Sequence, residues 1–400
     1  MNSNALIQTG LRRSSRFFIK RIRVTVNAAL VIVVFLTVCA ADCIAVSDAD
    51  LSRLQPGMQL PELSIQHDFT PDQRRYLGLS TGFMGMFAAD EFIPADVAAD
   101  VLLIEFYNVY CTSCQGQAPV MNEVFNRVNT REDMRDRIRF FGIGAGNNVA
   151  EAAMFARRYS IGFPMFADPD FANYNAVGDP GATPLTVIAK KHGRDLLVVS
   201  AHAGLVKDPD FFLRKLRAAL DSTPEALIAL QKKRTPEATS KRPRIDLDMS
   251  VEQVKKKVLE SMRAAADGDD SLKDVRLVTY PRSGEVYVAG PKGSALSLYA
   301  QVVSRPPTCD VCHGVHFILV FDANGIVRSF EPLHLTKYGN VVWSKHDADF
   351  MRRRLIGLNV LQPFVYDSAM DAVTTATMTS AIIFNSVQRL ADVVNEIRSQ

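Results

Sequence analysis

Glu105-Phe-Tyr-Asn-Val-Tyr-Cys111-Thr-Ser-Cys114-Gln-Gly-Gln-Ala-Pro119 joins an apolar run to a helical pattern through a pair of cysteines. The run, Val101 to Phe106, has the length and β-rich composition of a buried strand. Cysteines at the Cys-x-x-Cys spacing close a disulfide across one helical turn, with the first at the helix N-terminus. Unpaired N–H groups and the helix dipole stabilise a thiolate there, and the thiolate is the form that attacks disulfides. The expectation is a redox dithiol whose Cys111 sulfur stands exposed on top of the helix. Half of a zinc site is the competing reading, because Cys-x-x-Cys also binds metal.

Together with Ala182-Thr183-Pro184-Leu-Thr-Val-Ile, this stretch resembles the thioredoxin fold, and within it the membrane-tethered TlpA- and ResA-like thiol-disulfide oxidoreductases. The likeness is carried by the apolar strand, Glu105 six residues before the first Cys, the aromatic Tyr110, the Cys pair, Pro119 and the Thr-Pro loop. It implies that Cys111 attacks, Cys114 resolves, Glu105 is a buried proton acceptor, and Pro184 is cis and shapes the substrate surface. It also implies client proteins with thiols or disulfides as partners, reduction as the favoured direction, and no cofactor for the exchange itself. A helix at Glu151 to Tyr159 and a strand at Phe163 to Asp168 match the insertion of TlpA-like and peroxiredoxin-like members. A peroxidase reading fails locally, since Cys111 lacks the upstream Pro and Thr of a lone peroxidatic cysteine.

At 400 residues the chain exceeds the size at which one core stops growing, so two domains are expected. Six basic residues, Arg12, Arg13, Arg16, Lys20, Arg21 and Arg23, precede the first acid, Asp42. Without residues 1–45 the net charge is about −2, which offers no basic footprint for nucleic acid. The basic cluster followed by the apolar Val24 to Ala41 reads as an export signal or an uncleaved membrane anchor. The rest of the chain is then extracytoplasmic, either membrane-anchored or secreted after cleavage. Of six cysteines, Cys39 and Cys43 fall in that segment, and the other four form two Cys-x-x-Cys pairs. An oxidising compartment and cysteines kept only at this spacing point to redox or cofactor chemistry. The stretch Gly82-Phe83-Met84-Gly85-Met86-Phe87 reads as packing rather than as a copper site.

Glu225 to Lys233 can form a short helix, but Lys232-Lys-Arg-Thr-Pro236 and Thr239-Ser-Lys-Arg-Pro-Arg244 are polar and proline-bearing, so 223–249 reads as a linker. Beyond it a helix, Val251 to Ala266, precedes strand-like runs at Arg276–Tyr280, 285–289, 295–303 and His316–Phe321. The second pair, Cys309-Asp-Val-Cys312-His313-Gly-Val-His316, has three readings that stay open. It attaches haem c through Cys309 and Cys312 with His313 as axial ligand, and His334 as a distal candidate. Alternatively it is a dithiol passing electrons to or from Cys111 and Cys114, or Cys309, Cys312, His313 and His316 ligate a metal.

Near the C-terminus, Asp371-Ala-Val-Thr374-Thr375-Ala376-Thr377 resembles the flavinylation signature of the NqrC and RnfG FMN-binding domains, Asp-x-x-Ser/Thr-Gly-Ala-Thr. Asp371, Thr374, Ala376 and Thr377 match, and Thr375 stands where glycine is usual. The resemblance implies FMN attached covalently at Thr377.

The organisation expected is a signal or anchor at 1–45, a thioredoxin-like α/β domain at 46–222, a linker at 223–249 and an α+β FMN-binding-like domain at 250–400. The chemistry expected is exported thiol-disulfide exchange, coupled to a flavin or haem domain. The competing class is a non-enzymatic electron carrier whose thioredoxin-like domain is a docking module. A third is a binding protein whose cysteine motifs are only structural.

Overall fold

The computed structural model describes residues 50–80, 90–233, 247, 249–266, 272–290, 297–308 and 313–399. The N-terminal basic and apolar segment lies outside the described residues, as do residues 82–87, most of the expected linker, and Cys309 and Cys312. Among the described residues no helix is long and apolar enough to cross a membrane.

Strand β1, Val101–Tyr107, is buried at all seven positions because it has neighbours on both edges and packing on both faces. Helix α1, Thr112–Asn129, follows it and leads to β2, Ile138–Ala145, which runs parallel to β1. Helix α2, Val149–Arg158, leads in the same way to β3, Met165–Asp168, parallel to β2. On the other edge of β1 lies the hairpin of β4, Leu185–His192, and β5, Asp195–Ala203, both antiparallel to their neighbours. A helix between strands permits parallel pairing, and a tight turn forces the antiparallel kind. The resulting order, β3-β2-β1-β4-β5, is thioredoxin-like.

Helix α3, Pro209–Asp221, packs with α1 over one face of this sheet, where Val101, Leu103 and Tyr107 meet Met121, Val124, Phe212 and Leu216. Helix α4, Pro224–Lys233, falls inside the span read as linker. Leu227 is the reason: it is buried in the same cluster. Its carbonyl also lies where a Cβ on Gly57 would approach to 2.1 Å. The polar, proline-bearing stretch that suggested a linker overlaps the last two residues of this helix.

In the second half, α5, Val251–Ala265, opens with a capping box from Ser250 and Gln253. Strands β6 (Arg276–Tyr280), β7 (Gly284–Ala289), β8 (Leu298–Arg305), β9 (Val315–Asp322) and β10 (Val327–His334) form an antiparallel meander, each pairing with the next. Helices α6, Lys345–Leu355, and α7, Thr377–Arg398, complete an α+β unit.

The two halves share a core. Successive side chains of a strand point to opposite faces, so Leu102, Ile104 and Phe106 turn away from α1 into a second cluster. That cluster continues through Tyr174 and Ala182 into Val303, Phe317 and Ile382 of the second half. Ser47–Gln400 accordingly forms one compact unit.

Just before α7, Thr375 has φ +62, in the left-handed region that a β-branched residue adopts only under strain. This is the position where the flavinylation signature has glycine. Thr375→Gly is expected to raise stability by about 1 kcal/mol, strain relief outweighing the added freedom of the unfolded chain. Urea unfolding checks this, and an unchanged or lowered midpoint would show that Thr375 is not strained.

Candidate dithiol site

Cys111 is the N-cap of α1, and Cys114 lies one turn into the helix. The Cys111 Sγ donates to the Thr183 carbonyl at 3.3 Å, and the Thr183–Pro184 peptide bond is cis. The Cys114 Sγ accepts from the Asn108 backbone N–H at 3.4 Å. Burial pushes the Cys114 thiol well above its ordinary value, and the hydrogen bond and charge of Cys111 push it further the same way. At neutral pH Cys114 is therefore a protonated thiol.

The expectation of an exposed Cys111 is wrong, since the residue is 0% exposed. Met378 of the second half packs against the cluster that contains both sulfurs. Thr183, whose carbonyl holds the Cys111 thiol, gives its hydroxyl hydrogen bond to the carbonyl of Thr308. A local motif carries no information about which distant segment will lie across it.

Glu105 is buried beneath α1, and burial pushes its carboxyl up to about 7, with a hydrogen bond from Gln117 opposing. The Gln117 side-chain amide donates to Glu105 Oε1 and Thr186 Oγ1, both at 3.2 Å, and its Oε1 accepts from the Val206 N–H. Sequence reasoning missed Gln117, although its place three residues after Cys114 puts both on one helical face. The hydroxyl of Tyr107 is raised by burial and then by the charges of Glu105, Cys114 and Glu151, which places it among all three.

Tyr110 donates to Glu151 Oε1 at 2.5 Å, and Ser368 of the second half donates to the same oxygen. Burial, reinforced by the Glu151 carboxylate, pushes the Tyr110 hydroxyl up to about 12. Glu151 was also missed. Its signal is the capping box it forms with Asn148 at the start of α2, which marks a helix end but not a partner for Tyr110.

Of the residues singled out further along, three described histidines lie near one another. His313 is exposed, with its ring 5.9 Å from that of His334, and His316 faces His334 across β9 and β10. His316 bonds Ser304 Oγ through Nδ1 at 2.9 Å, and burial, then His334, lower its pKa to about 4, so it is neutral at physiological pH. Among the described residues no group of three or more His, Cys, Asp or Glu is arranged to hold a metal.

Asp371 accepts from Arg354 Nε at 2.7 Å and from the Asp367 N–H, tying α6 to the approach of α7. Thr374 is exposed, and the Thr377 carbonyl accepts from Tyr366 Oη at 3.0 Å. Neither of two surface cavities, about 1060 and 520 Å³, is lined by Asp371, Thr374 or Thr377.

No family model matches the chain, and no curated protein matches it. Solved structures similar to it include one described as a thiol:disulfide interchange protein, DsbE, from Chlorobium tepidum, 17% identical. The match covers 42% of this chain and 99% of that one, with a TM-score of 0.32. A secreted disulfide oxidoreductase of Mycobacterium tuberculosis is 18% identical over 42% of this chain and 99% of its own, TM-score 0.29. A DsbF homologue from Corynebacterium diphtheriae is 13% identical over 40% of this chain and 86% of its own, TM-score 0.29.

Proposed function

We propose that the chain exchanges disulfides with partner proteins through Cys111 and Cys114. The observation that carries this reading is one arrangement: two sulfurs one helical turn apart, the first at a helix N-terminus and against the carbonyl of a cis Thr-Pro pair. The Cys111 thiolate attacks a partner disulfide, one partner sulfur leaves as a thiolate, and a mixed disulfide forms. Cys114 then gives up its proton, with Glu105 as acceptor, and attacks the Cys111 sulfur. The Cys111–Cys114 disulfide closes as the second partner sulfur leaves, so the partner gains two electrons and the chain loses two. The same steps run backwards oxidise a partner dithiol. The charge asymmetry of the N-terminal segment supports a site of action outside the cytoplasm.

The position of Thr308 favours a second reading, in which Cys309 and Cys312 are an internal exchange partner. Thr308 is held at Thr183 and directly precedes Cys309 in the sequence, and consecutive Cα atoms are about 3.8 Å apart. One variant tests both readings. Reduced Cys114→Ser, mixed with a disulfide-bonded protein such as insulin, is expected to accumulate a Cys111-linked mixed disulfide on a non-reducing gel. Oxidised alone, it is expected to give peptides joining Cys111 to Cys309 or Cys312 by mass spectrometry. Absence of the first product both in Cys114→Ser and in Cys114→Ser combined with Arg305→Ala refutes exchange with partner proteins, and absence of the second refutes the internal partner.

A further inference from the structure

Resting on the exchange reading, we propose that Arg305–Thr308 is a latch, a segment of the second half that closes the dithiol to outside proteins until it is displaced. Exchange requires a partner sulfur to reach Cys111, and Cys111 is fully covered. Thr183, whose carbonyl holds the Cys111 thiol, lies directly beside the sulfur that a partner has to reach. Thr308 of the chain itself lies against Thr183.

Three contacts run in step along the two segments. Arg305 Nη2 pairs with Asp179 Oδ2 at 2.9 Å, Pro306 packs where a Cβ on Gly181 would come within 2.7 Å, and the Thr308 carbonyl takes the Thr183 hydroxyl. Arg305 is the pin. Its side chain is 7% exposed, and it also donates to Asn385 Oδ1 at 2.6 Å, Ser386 Oγ at 3.3 Å and Asn175 Oδ1 at 3.4 Å. The guanidinium thus joins the loop before Pro184 to α7.

The closed arrangement is not fully satisfied. Asp179 Oδ1 and Thr308 Oγ1 are buried with no hydrogen-bond partner among the described residues. Buried polar atoms left without partners cost free energy that contact with water recovers. Asp179 faces one end of the latch and Thr308 is its other end, so lifting the latch opens both atoms to water.

The test is peptide-resolved alkylation by N-ethylmaleimide in the reduced full-length chain, comparing the parent with Arg305→Ala and the milder Asp179→Asn. The expected result is Cys111 labelling at least tenfold faster in the variants while Cys114, one turn further into α1, keeps its parent rate. Equal Cys111 rates in parent and variants overturn the latch. So does a joint rise of Cys111 and Cys114 in both variants, which would report general unfolding. A variant whose Cys111 labels fast yet reduces no protein disulfide refutes the exchange reading and leaves the latch standing.

Discussion

Replacing Cys111 with serine is expected to reduce exchange with a protein disulfide to the rate of buffer alone. Serine is close in size and its hydroxyl can still donate to the Thr183 carbonyl, which Cys111 now does at 3.3 Å. The fold is therefore kept, and the thermal midpoint should move little. What is lost is the sulfur that forms the mixed disulfide. Cys114 cannot substitute, because its thiol is buried and held protonated. Residual exchange in Cys111→Ser would place the chemistry elsewhere, with Cys309 and Cys312 first in line.

The second large effect belongs to Glu105. Its carboxyl titrates near 7 in the folded chain against an ordinary value of 4.5, because burial disfavours the charge. Between those values the folded state keeps a proton that the unfolded state releases. Stability is therefore full below about pH 4.5, falls as pH rises to about 7, and is flat above, for a total cost of about 3 kcal/mol. Glu105→Gln removes this titration, so the variant should exceed the parent by an amount of that order at pH 8 and match it at pH 4. Urea unfolding at the two pH values checks this. The same substitution removes the proton acceptor proposed for Cys114, and the resolving step at pH 7.5 should slow about a hundredfold. Stopped-flow traces of the mixed disulfide measure it. A resolving step of unchanged rate takes Glu105 out of the proton's path, whatever happens to stability.

These two residues were legible in the sequence because their signals are local. A fully apolar seven-residue strand, a Cys pair and a helical pattern within one contiguous stretch specify a strand entering a helix, and β1 and α1 are that. The Thr-Pro loop was legible for the same reason. Gln117 carried a usable spacing that went unread. The burial of Cys111 carried none, because Met378 and Thr308, which meet the site by packing and by a hydrogen bond to Thr183, come from the other half of the chain. Leu227 is a smaller case of the same kind: the helix that carries it is readable at Glu225 to Lys233, but its packing on the first half is not. The Thr375 departure proved informative in another way, since the backbone there keeps the left-handed turn that glycine usually provides.

The apolar seam running from Phe106 to Ile382 limits how this protein can move. Two bodies welded along such a seam cannot swing apart like the leaves of a book without wetting their common interior. Motion that uncovers the sulfur must instead peel a few residues back from one margin, so the redox centre and the meander sheet travel as a single body.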